Sequence, residues 1–168
     1  MVGRYYYAGG KKVAIEADET HVAVDQDRAD AAGLRPLIER ASAGAPRLPG
    51  GVVVTSRSNL EEKGLAKLRE AGAVRPVFRH DRAMMVALPE IRVEFDDAKQ
   101  REAVMASITD APHAVEITEK GQDRLVLKLL SGSGEDALEV ANFLFEHAHP
   151  ASSSVRFLQF VPKPGPRR

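Results

Sequence analysis

This 168-residue chain has five histidines and no cysteine to offer for catalysis or metal binding, beside its carboxylates. His147 and His149 are its one close pair. Side chains two apart on a helix diverge, and no Asp or Glu beside them completes a metal-ligand spacing. A helix end, where imidazole complements the C-terminal dipole, accounts for both. His21, His80 and His113 each stand alone. No serine sits in a strand–turn–helix nucleophile pattern. Gly9-Gly10 and Gly50-Gly51 read as turns, because no glycine-rich run leads into a helix opening on Lys-Ser or Lys-Thr. The expectation is a chain that is not an enzyme, with no catalytic residue, no metal and no cofactor.

Composition points the same way. Apolar residues make up 43% of the chain, enough for a core, but aromatics only 5%, so Val, Leu, Ile and Ala must fill it. Lys plus Arg and Asp plus Glu number 24 each. A nucleic-acid binder carries a basic excess, so no nucleic-acid partner is expected. No run of about 18 apolar residues exists, and the opening MVGRYYYAGGKK lacks a signal-peptide core. The reading is a soluble, cytoplasmic protein without a membrane partner.

The elements that would position any site follow from periodicity. Tyr5 to Ala8 and Lys11 to Ile15 flank Gly9-Gly10 as a hairpin, and His21 to Asp25 is a short strand. Tyr5, Tyr6 and Tyr7 read mainly as cover for the protein's own core. A helix spans Asp30 to Ala43, with Pro36 placing its start near Leu34. Gly51 to Thr55 is a valine-rich strand, and Ser58 or Asn59 caps a helix from Leu60 to Ala71. Val74 to Arg79 and Ala83 to Leu88 are strands, with Met84 and Met85 in the core. Ile91 to Phe95 then opens a second unit: Asp96 or Asp97 caps a helix to Ile108 whose Ala98, Val104, Met105 and Ile108 face inward. Two strands follow, Ala114 to Thr118 and Leu125 to Leu130.

The closing stretch, Ser133 to Phe160, is the most strongly patterned. Ser133 precedes Glu135 and Asp136 at a helix start, where free N–H groups need acceptors. Ala137, Leu138, Ala141, Leu144, Phe145 and Ala148 form one apolar stripe, expected to be buried. Pro150 and Ser152 to Ser154 end the helix, and Val155 to Phe160 is the final strand. From Ile91 the order is strand, helix, strand, strand, helix, strand, and His21 to Arg79 repeats it. The fold class expected is α+β: two tandem ferredoxin-like (βαββαβ) sandwiches, antiparallel sheets with helices on one face and the other face free to bind. The domains read as 1–88, 89–162 and a flexible tail over 163–168.

Three stretches carry a family likeness: RYYYAGGKKVAIEAD followed by HVAVD, then VRPVFRHDRAMMVALPEIRVEF, then EDALEVANFLFEHAHP. In this order they resemble the N-terminal propeptide region of bacterial subtilisin-like serine proteases, over roughly the whole chain. The resemblance implies a ferredoxin-like sandwich that inhibits the protease and templates its folding, with its sheet on two protease helices and its C-terminal tail in the substrate cleft. The protein partner expected is therefore a subtilisin-like protease. The partner-binding residues this implies are Phe160, Val161, Pro162, Lys163, Pro164, Gly165, Pro166, Arg167 and Arg168. The three prolines favour an extended chain. The Asp, His and Ser motifs of the protease are absent from these 168 residues, so the segment is expected to be excised or to act in trans.

Two other roles fit the same fold. One is a stand-alone adaptor or regulatory module that binds a different protein. The other is a small-molecule sensor of the ACT type, dimerising through its sheets. An RNA-recognition role lacks base-stacking aromatics, since the Leu125 to Leu130 strand reads LVLKLL. In an acylphosphatase-like role, the carboxylates of Asp96 and Asp97 would repel phosphate.

Overall fold

The computed structural model describes residues 4–161. Along the chain come β1 (Arg4–Ala8), β2 (Lys11–Ala17), β3 (His21–Asp25), α1 (Gln26–Ala31), α2 (Arg35–Ser42), β4 (Arg47–Leu48) and β5 (Val52–Ser56). A 3₁₀ turn at Arg57–Asn59 leads into α3 (Glu61–Glu70), β6 (Val74–Arg75), β7 (Val77–His80) and β8 (Ala83–Glu94). The rest is α4 (Ala98–Ile108), β9 (Val115–Lys120), β10 (Arg124–Leu129), α5 (Gly134–Ala148) and β11 (Ser152–Phe160). The fold is α+β, and the strand pairs with a described register are antiparallel.

Two compact units divide the chain, and they interleave. One gathers the chain up to Ile15 with Ala87–Arg156; the other holds Glu16–Val86 and the strand residues from Phe157. The sequence reading instead cuts once, at 88/89. The difference comes from a long-range pairing. The tyrosine face of β1 finds its cover on α5, far along the chain, and no periodicity reports that pairing. The tail expected over 163–168 lies outside the described residues.

In the unit of α4 and α5, β10 pairs with β8 on one side and β9 on the other, and β11 pairs with β8. The strand order is therefore β11–β8–β10–β9. Ile91 and Val93 of β8 and Leu125, Leu127 and Leu129 of β10 are buried, as are Leu138, Ala141 and Leu144 of α5. Asp97 caps α4 by accepting from Gln100 N at 2.8 Å, while Gln100 Oε1 accepts from Asp96 N at 2.7 Å. This reciprocal pair satisfies two free amides at the helix start. Ala98 is exposed at that first turn rather than inward. Ser133 caps α5 by accepting from Asp136 N at 3.2 Å. A side chain on Gly134 would drive its Cβ into the Ala87 carbonyl oxygen, so only glycine lets α5 start this close to β8. The hydroxyl of Ser153 donates to Ala141 O at 2.8 Å, tying β11 to α5.

In the other unit the sheet order is β4–β5–β3–β6. Val22 and Val24 of β3 and Val53 of β5 share a core with Ala29, Ala41, Leu60, Leu65 and Leu68 from the helical segments. Ala23, Val52 and Val54, on the reverse face by strand alternation, are also buried. Among the described residues this face is therefore covered, where a free sheet face is expected from sequence.

Several boundaries differ from the sequence reading. The helix expected over Asp30 to Ala43 is two helices, broken at Gly33, whose φ of +76° suits glycine. Pro36 does fall in the first turn of α2. Neither Ser58 nor Asn59 caps α3: Asn59 Nδ2 donates to Thr55 Oγ1, and Ser58 bonds Ser56. β8 runs unbroken through Pro89, where two strands are read from sequence.

Candidate functional site

The expected partner-binding segment begins at Phe160, which is half-buried and lines a recess of about 220 Å³ with His21, Thr55 and Met84. Val161 is 66% exposed. Pro162, Lys163, Pro164, Gly165, Pro166, Arg167 and Arg168 lie outside the described residues.

The sheet face of the α4/α5 unit that alternates with its core positions carries charge. Glu90, Arg92 and Glu94 of β8 stand opposite Lys128, Val126 and Arg124 of β10. Opposite charges thus face each other across the strands at two of three positions, which favours this register. Arg156 reaches Glu90 at 3.2 Å, and Arg124 reaches Glu119 at 2.8 Å. The face thus carries charges of both signs, two pairs of them in contact, around Val126.

A groove of about 430 Å³ lies on the other side of α5. β1 supplies Arg4 and Tyr5, α5 supplies Leu138, Glu139, Asn142, Phe143 and Glu146, and Pro112 comes from the segment before β9. Helical spacing brings the α5 set onto one face. Asn142 is 8% exposed, and its Nδ2 donates to the Tyr5 carbonyl at 2.8 Å, satisfying a backbone oxygen of β1. That bond fixes which way the amide points, and Asn142 Oδ1 is buried with no hydrogen-bond partner among the described residues. The Tyr5 hydroxyl donates to both Glu146 oxygens at 3.3 Å, and the Tyr7 hydroxyl to Oε2 at 3.1 Å. Burial, with the neighbouring Glu146 carboxylate, pushes both phenols above their ordinary pKa. Tyr7 covers its own unit, as read from sequence: its ring stacks on Phe145.

At Glu139 the groove adjoins His113, whose Nε2 lies 2.7 Å from Glu139 Oε2 and 3.4 Å from Asp136 Oδ1. The three ligand atoms lie within 4.8 Å of one another, a type and spacing that can hold a divalent ion. The imidazole–carboxylate contacts account for the cluster without one. The sequence reading leaves His113 alone because its carboxylates lie 23 and 26 residues onward; the Asp136–Glu139 spacing was the available signal. His147, expected at a helix end, stacks on Phe143 and bonds its carbonyl through Nδ1 at 3.0 Å.

A further polar cluster organises a turn. The buried Asp18 carboxylate accepts from Arg79 Nε at 2.6 Å, from Thr20 N and Oγ1 at 2.8 Å, and from His21 N at 3.0 Å. Burial alone would raise its pKa. The bonds from Arg79, Thr20 and His21 outweigh burial and hold the carboxyl well below the usual range.

Among the described residues no helix is long and apolar enough to cross a membrane. No family model matches the chain, and no curated protein matches it. Among solved structures it is similar to the aspartate kinase of Clostridium acetobutylicum, with 9% identity and a TM-score of 0.27 over 81% of this chain. The chain spans 34% of that enzyme's length.

Proposed function

We propose that this chain is a protein-binding module of two ferredoxin-like units that inhibits a subtilisin-like protease, assists its folding, or does both. The observation that carries the reading is the strand order β11–β8–β10–β9, with strand, helix, strand, strand, helix, strand along the chain. This is the order of a ferredoxin-like sandwich. The likeness of RYYYAGGKKVAIEAD, VRPVFRHDRAMMVALPEIRVEF and EDALEVANFLFEHAHP to subtilase propeptides supports the choice of partner. The partner would take the sheet face that carries Arg92, Glu94 and Lys128, and the tail from Phe160 would lie in its cleft.

The charge on that face favours a second reading. Paired ions such as Arg156 with Glu90 suit a polar, reversible contact, as in an adaptor that holds a different protein.

Inhibition assays separate the two. The full chain is mixed with purified subtilisin-like proteases and cleavage of a peptide substrate is followed. Slowed cleavage that saturates with the chain supports the protease reading. Unchanged cleavage at micromolar excess, across several such enzymes, removes it and leaves the adaptor.

A further inference from the structure

We draw no further inference here: the strongest candidate, the recess beside the β3–β5 pair where Asp18 holds the His21 imidazole opposite Ser56, carries nothing, because the Ser56 hydroxyl bonds Ser58 instead of that imidazole and nothing in the structure shows what the recess would take.

Discussion

Arg79 Nε donates to Asp18 Oδ2 at 2.6 Å, the shortest of the contacts that converge on this buried carboxylate. The bond joins the end of β2 to β7, whose residues Ala17 and Phe78 are paired in the sheet. Because the hydrogen bonds lower the folded-state pKa of Asp18 below its unfolded value, they stabilise the fold only while the carboxyl is ionised. The contribution is full above the unfolded pKa of about 3.9 and is lost as pH falls through the folded value. Asp18→Asn should cost about 1–3 kcal/mol at neutral pH and flatten the acid limb of the stability curve. Urea melts from neutral to acid pH measure both. An acid limb equally steep in the variant would move the acid sensitivity elsewhere.

Gly134→Ala should destabilise by on the order of 3 kcal/mol, because the new methyl meets the Ala87 carbonyl and backbone must move. Helix propensity alone predicts the opposite sign, since alanine is the better helix former. Chemical denaturation therefore separates close backbone approach from propensity.

Leu144→Ala and Phe145→Ala should differ in the order opposite to side-chain size. Leu144 is fully buried and should cost about 2–5 kcal/mol. Phe145 is half-buried, with its ring on Tyr7 at 4.3 Å and 25°, and should cost about 1–2 kcal/mol, mostly stacking and partial burial. A larger loss for Phe145 in denaturant melts would place it inside the core after all.

If the protease reading holds, deleting Pro162 to Arg168 should leave the melting temperature unchanged and sharply weaken inhibition of the protease. Inhibition kinetics of the truncated and full chains check this. Equal inhibition would shift the contact to the sheet face.

Local signals were read well from the sequence. Ser133 and Asp97 cap the helices they precede, and Gly9-Gly10 turns the opening hairpin, because each acts within a few residues. Asn59 does not cap α3 because it lies within the 3₁₀ turn that leads into the helix, one residue before the cap position at Leu60. Phe145 belongs to the apolar stripe by spacing, yet sits at its edge, where β1 and not the sheet covers it. The groove was invisible. Asn142 reads as an ordinary polar residue on a helix, and only its pairing with Tyr5, 137 residues away, removes it from water.

That separation also sets a timetable. A ribosome adding about 5–20 residues per second makes Asn142 roughly 7–27 s after Tyr5. Throughout that interval α5 does not yet exist, so the tyrosine strand lacks its cover. The opening hairpin must wait, and the unit it belongs to can close only once the last helix has been translated.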